Sequence, residues 1–210
     1  MHKVACLFSG GKDSVFAAFW AMHSGWSPLL VTVLPEPYSM MFHHPNARWT
    51  SLQAESMHLP QITIQATNEN ELEELERALS RAEVQGIVTG AIASEYQKQR
   101  IDMIGEELGL PTYSPLWHKE NVLQQEMLSN FETYITAVSA EGLGPELLGK
   151  NLSELGERRN IHPLLEGGEG ETFVADAPFF ERRIRIRKWK KEWDGVRGVA
   201  HIQEAELVEK

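Results

Sequence analysis

Six consecutive residues near the start of the chain, Ser9, Gly10, Gly11, Lys12, Asp13 and Ser14, combine the groups that hold an anion with a backbone free to use them. An apolar run, Val4 to Phe8, precedes them and a second begins at Val15, so they fall where a strand gives way to a helix. The first N–H groups of a helix lack intrahelical partners, and the helix dipole favours negative charge there. Two glycines let the chain turn tightly and let a large anion come close. Lys12 adds a full positive charge. Ser9 and Ser14 offer hydroxyls, and Asp13 can hold a backbone N–H at the helix start or a cation carried by phosphate. The turn reads as a phosphate cradle, although it matches neither the Walker spacing nor GxGxxG.

Other candidates lie further along. Glu166, Glu169 and Glu171 alternate with Gly167, Gly168 and Gly170. Three carboxylates so close repel one another unless a cation or basic partner is near. Such a group can hold ammonium, bind a trimethylated amine or act as a general base; equally, it can be a solvated acidic turn. His43 and His44 have no cysteine beside them and do not make a zinc site. Gly90 either borders a site or permits close packing at a strand end. Glu95, Gln97 and Arg100 cannot all share one helix face, so some of them are ordinary surface positions. Arg100 is the strongest of the three, because a guanidinium forks onto a phosphate or carboxylate. The basic run from Arg182 to Lys191 alternates with Ile184 and Ile186, the pattern of a strand with a solvated face. Its alternative is a docking surface for a protein partner or that partner's RNA.

The elements that position these residues follow a β-α rhythm. Strands are expected at Val4 to Phe8, Leu29 to Leu34, around Ile62 and Ile64, at Gly86 to Ala91 and at Thr112 to Ser114. Helices are expected at Ser14 to Ser24, Thr50 to Leu59, from Asn68 through Leu79, and from Ser94 to a stop at Gly109. This alternation predicts an α/β fold with a doubly wound parallel sheet of the Rossmann type, which binds ligands at the carboxyl ends of its strands. After Pro115 the rhythm changes. Helices are expected near Glu120 to Phe131 and Ser153 to Arg159, and strands at Arg183 to Lys190 and Val199 to Val208. A second, smaller α+β domain is therefore expected over 118–210, after a first domain over 1–117.

Composition narrows the function classes. The 210 residues carry 20 basic and 30 acidic side chains, a net charge of -10, which disfavours nucleic acid as a partner. Cys6 is the sole cysteine and lies inside the first apolar run, so there is no disulfide framework and no Cys/His metal cluster. No signal peptide or membrane segment is recognisable, and a cytoplasmic protein is expected. Whether it forms a homo-oligomer is left open.

Ser9 to Ser14 resemble the signature of the PP-loop ATP pyrophosphatases, which split ATP between its α and β phosphates. Three further stretches, Met41 to Asn46, Gly90 to Arg100 and Glu166 to Phe180, make the chain resemble the diphthine-ammonia ligase family with its archaeal and bacterial relatives. The resemblance implies an adenine nucleotide alpha hydrolase-like fold, ATP with Mg2+ on its phosphates, and ammonium as nitrogen donor. It implies amidation of diphthine on a translation elongation factor. Carried onto this sequence, Ser9, Gly10, Gly11, Lys12, Asp13, Ser14, Gly90 and Ala91 bind the nucleotide. His43, Asn46, Ser94, Glu95, Gln97, Glu166 and Thr172 meet the acceptor, and Lys12, Asp13, Arg100, Glu169 and Glu171 are the catalytic candidates. Leu165 and Gly170 depart from the family pattern, which commonly has Gly and an aromatic residue there. Two rivals share the ATP chemistry: tRNA thiolation, disfavoured because Cys6 is too deep to carry sulfur, and ligation of a small carboxylic acid. A nucleotide sensor without turnover is a third. No cysteine is available as a glutaminase nucleophile, which leaves free ammonium as the simplest nitrogen source.

Overall fold

The structure is a computed structural model that describes residues 2–34, 45–67, 69–119, 130–139 and 141–210. In chain order the elements are β1 (Lys3–Leu7), α1 (Lys12–His23), β2 (Ser27–Leu34), α2 (Thr50–Ser56), β3 (Gln61–Gln65), α3 (Glu71–Arg81), β4 (Ile87–Val88), α4 (Glu95–Leu108), β5 (Thr112–Tyr113), β6 (Glu132–Val138), β7 (Gly170–Asp176), β8 (Arg183–Trp193) and β9 (Gly198–Val208). Short 3-10 turns occur at Ala47–Trp49, Pro145–Leu147 and Leu152–Glu154. His43, His44 and most of the helix expected at Glu120 to Phe131 lie outside the described residues. Packing gathers the described residues into two units, one of 2–9, 13–34, 58–67 and 69–119, the other of 10–12, 45–57, 130–139 and 141–210.

In the first unit five parallel strands run in the order β3-β2-β1-β4-β5. Their side chains alternate between two covered faces. Ala5, Leu29, Val31 and Val33 pack with Leu75 and Leu79 of α3 and Ile101 and Ile104 of α4. Val4, Cys6 and Leu30 are fully buried on the opposite face. α1 is apolar on all sides, and Val15, Ala17, Ala18 and Ala21 have no exposed surface, as expected of a helix wholly within a core. α3 is amphipathic instead, with Glu71, Glu73 and Glu74 in its first turn where the dipole favours them. α4 starts at Ser94, whose hydroxyl accepts the Gln97 N–H, and ends at Gly109 in the left-handed region at φ 65°. The strand order reverses between β1 and β4, which brings the loops leaving these two strands side by side.

The second unit is built on an antiparallel sheet in the order β7-β6-β9-β8. Ile135, Val138, Leu147, Leu148, Leu152 and Leu164 form its core. Ser56 of α2 docks the start of β8, with its hydroxyl donating to the Arg182 carbonyl at 2.5 Å and its carbonyl accepting the Glu181 N–H at 2.8 Å. The helix expected at Ser153 to Arg159 is only the 3-10 turn Leu152–Glu154. Asn151 and Glu154 close it as a reciprocal cap, and Gly156 at φ 65° carries the chain out of helical geometry. The basic run is a solvated strand face. Arg183 pairs with Glu132, Arg187 with Glu206, Lys188 with Glu204 and Lys190 with Glu192, so acidic neighbours answer most of its charge.

Candidate active site

The turn after β1 is held from several sides. In the first unit the Thr32 hydroxyl donates to the Phe8 carbonyl at 2.8 Å and accepts from the Gln61 amide at 2.9 Å, fixing the strand end. Ser14 closes the turn onto Ser9, its hydroxyl accepting the Ser9 N–H at 3.2 Å and lying 3.2 Å from the Ser9 hydroxyl. Gly90, just past β4, approaches so closely that an added Cβ would fall 2.6 Å from the carbonyl carbon of Asp13. Glycine is required there for proximity, not for φ. Ala91 beside it is buried. The strand expected to reach Ala91 ends at Val88 because Gly90 and Ala91 belong to this loop.

The middle of the turn packs in the second unit. Gly10 adopts φ 82°, a left-handed conformation that glycine takes without penalty. Its carbonyl accepts the Val174 N–H at 3.0 Å and the Gln53 side-chain amide at 2.9 Å. The Lys12 N–H donates to the Thr172 hydroxyl at 3.2 Å. Lys12 is only 4% exposed, and its ammonium meets the Glu166 carboxylate at 2.6 Å. A lysine so buried needs a negative partner, and Glu166 supplies it.

The acidic turn is a constructed feature. Gly167 and Gly168 have φ of 72° and 83°, and Leu165 also lies in the left-handed region at φ 57°. Glu169 accepts the His162 N–H at 2.8 Å through its carboxylate and the Ser139 N–H at 2.8 Å through its carbonyl, and the Ser139 hydroxyl donates to the Gly168 carbonyl. A side chain at Gly170 would strike the Ala137 carbonyl at 2.5 Å and Leu165 at 3.0 Å. Leu165 and Gly170 are therefore complementary: the buried leucine fills volume that a larger residue at 170 would need. Glu171 lies on β7 opposite Ala137 of β6.

The remaining candidates divide differently. Asn46 is buried, its amide nitrogen donating to the Ala200 carbonyl at 2.9 Å and its oxygen accepting the Ile202 N–H at 2.8 Å. Its side chain is engaged by β9. Ser94 caps α4, and Glu95 is exposed in the first turn of that helix. Arg100 stacks its guanidinium 3.4 Å over the Tyr96 ring and donates to the Tyr96 carbonyl at 3.3 Å. The turn's contacts with Gln53 and Thr32 have no counterpart in any motif. Thr32 is a polar residue within an apolar strand, which is a signal the sequence offers, whereas Gln53 lies among the polar residues of α2 and gives none.

Burial pushes the Cys6 thiol up to about 12, so it is an inert core residue and not a sulfur carrier. Among the described residues no group of three or more His, Cys, Asp or Glu could hold a metal.

The parallel sheet with its reversed strand order defines the first unit as a doubly wound α/β fold, a class that binds ligands at such a switch point. Family profiles described as the diphthamide synthase N-terminal domain and C-terminal domain match residues 2–112 and 119–208. The chain is 33% identical over 215 residues to a diphthine–ammonia ligase of Schizosaccharomyces pombe, spanning 87% of this chain and 36% of that one. It is 32% identical over 220 residues to those of Bos taurus and Homo sapiens, spanning 88% of this chain and 82% of each relative. The crystal structure of a predicted subunit of tRNA methyltransferase from Methanocaldococcus jannaschii has the same fold at 16% identity, with a TM-score of 0.50 over 85% of this chain and 98% of that one. The chain belongs to the diphthine–ammonia ligase family of the PP-loop superfamily, a family of ATP-dependent, AMP-forming carbon–nitrogen ligases.

Proposed function

We propose that this protein uses ATP and ammonia to convert a carboxylate to an amide, and that its acceptor is diphthine on a translation elongation factor. The observation that carries the proposal is the Ser9 to Ser14 turn, with its buried Lys12 paired to a carboxylate at 2.6 Å. That pairing supports a site suited to a negative group beside Lys12, the place a phosphate takes in exchange for Glu166. A carboxylate oxygen of the acceptor attacks the α phosphorus, the bond to the bridging oxygen breaks, and pyrophosphate leaves. Ammonia then attacks the acyl carbon, AMP leaves with the bonding electron pair, and the nitrogen loses a proton.

In this reading Ser9, Gly10, Gly11, Lys12, Asp13 and Ser14 bind the phosphates, with Gly90 and Ala91 adjoining them. Lys12 meets charge as it grows on the departing pyrophosphate. Asp13 would hold the Mg2+ that accompanies ATP, which would offset the charge of the phosphates. Arg100 receives the acceptor carboxylate, Glu171 accepts the proton from nitrogen, and Glu169 holds the turn that carries Glu166. We assign ATP binding to 1–117 and acceptor binding to 118–210. No helix of the described residues is long and apolar enough to cross a membrane, and we place the reaction in the cytoplasm.

The test is incubation with ATP, ammonium and elongation factor bearing diphthine, followed by mass spectrometry of the modified histidine and measurement of pyrophosphate. Formation of the amide with equimolar pyrophosphate is expected. ATP binding without pyrophosphate release for any carboxylate tried removes the ligase reading. A second acceptor class is small carboxylic acids, and pyrophosphate release with such an acid in the absence of the factor identifies it.

A further inference from the structure

Gln53 of α2 has no exposed surface, and its amide grips the glycine turn. Nε2 donates to the Gly10 carbonyl at 2.9 Å and to the Val174 carbonyl at 2.8 Å. Only the two protons of an NH2 group can satisfy two carbonyl oxygens, so these partners fix which end of the amide is nitrogen. The Val174 N–H donates to the same Gly10 oxygen, which therefore receives two donors from two different elements. Oε1 lies over the Gly10 Cα, where an added Cβ would fall 2.5 Å from it, and among the described residues it accepts no hydrogen bond. A buried amide with an unmet oxygen is destabilising, and a methionine of similar volume would avoid that. What keeps an amide here is the work of its nitrogen.

The peptide linking Gly10 to Gly11 is trans, since the described residues contain no cis bond. In a trans peptide the carbonyl and the following N–H point in opposite directions within one plane. Holding the Gly10 carbonyl on Gln53 and β7 therefore fixes the plane of that peptide. We propose that Gln53 is a positioning residue for the nucleotide: by clamping the Gly10 carbonyl it sets the plane of the Gly10–Gly11 peptide within the turn that receives the phosphates of ATP. The clamp holds that plane before the nucleotide arrives. The inference rests on the ATP reading above.

Gln53→Met keeps volume and removes both donors. The Kd for ATP, measured by calorimetry, should weaken about tenfold while KM for the acceptor stays at the wild-type value. Gln53→Glu is the second variant. Its buried carboxyl repels both carbonyls when ionised and regains one O–H donor when protonated, so its ATP affinity relative to wild type should recover as pH is lowered. In the wild-type protein the Gly11 amide proton should move downfield in the NMR spectrum on addition of ATP. Unchanged ATP affinity in a folded variant overturns the clamp, as does a Gly11 resonance that ignores bound ATP. Wild-type protein that fails to bind ATP overturns the nucleotide reading itself, a separate result.

Discussion

Gly90→Ala adds one methyl group where the backbone leaves no room for it. The new Cβ would lie 2.6 Å from the carbonyl carbon of Asp13, 2.7 Å from its oxygen and 2.8 Å from the Ser14 nitrogen. All three are main-chain atoms, so no side-chain rotation relieves the contact. Ordinary contact begins near 3.4 Å, and the loop after β4 and the start of α1 must therefore separate by about 0.8 Å. Overpacking of this kind destabilises by about 1–3 kcal/mol. A misplacement of roughly 1 Å among reacting groups lowers rates by about 100-fold. The expected outcome is a kcat/KM for ATP reduced by about ten- to a hundredfold and a melting temperature lower by several degrees. Pyrophosphate release at saturating ammonium and acceptor reads the first, and scanning calorimetry the second. A variant with wild-type values for both refutes the claim that residue 90 is glycine because Asp13 and Ser14 need its space.

Lys12→Ala should reduce pyrophosphate release by about 100- to 1,000-fold, the scale of losing one charged donor to a developing anion, with the circular dichroism spectrum unchanged; normal turnover counts against the phosphate role. Glu166→Gln leaves a buried ammonium facing a neutral amide, a loss of about 3 kcal/mol for a pair that is largely buried. ATP then supplies the missing negative charge, so its stabilising shift in melting temperature should exceed the wild-type shift, and an equal or smaller shift contradicts the exchange of partners. Burial alone would raise the Asp102 carboxyl, but hydrogen bonds from Lys98 and Thr112 outweigh it and hold the carboxyl below its ordinary value of 3.8. A lowered carboxyl stabilises the fold above its unfolded pKa, and that contribution fades as pH falls through the folded value. Asp102→Asn should therefore melt below wild type at neutral pH and converge with it in acid; a gap that persists in acid contradicts this.

The first unit was largely legible because its signals are local. Ser94 and Gly109 mark both ends of α4 by side-chain and backbone chemistry that needs no partner elsewhere. Ser9 and Ser14 mark the switch from strand to helix by residue type alone, before any fold is known. What a local pattern does not register is decided by distant contacts. Asn46 is named by the family resemblance alone, and no local pattern signals that β9 takes both ends of its amide. Gln53 belongs to a short helix with no motif, and its partners are Gly10 and Val174, one far upstream and the other far downstream. Glu166 was picked out for its charge, but its pairing with Lys12 depends on a fold that brings residues 154 positions apart into contact. The expected helix from Ser153 failed because Asn151 and Glu154 cap a single turn and Gly156 leaves it, a contest that periodicity does not register.

β8 is the outermost strand of its sheet among the described residues, and such a strand offers a ready template for another chain. Cations crowd its length, and acidic side chains from β6, β9 and β8 itself pair with them, so an incoming strand meets fixed charge instead of a bare ladder. Acid that neutralises those carboxylates releases the lysines and arginines to repel one another. The same strand then becomes self-repelling, and the outer hairpin becomes the natural place for acid unfolding to begin.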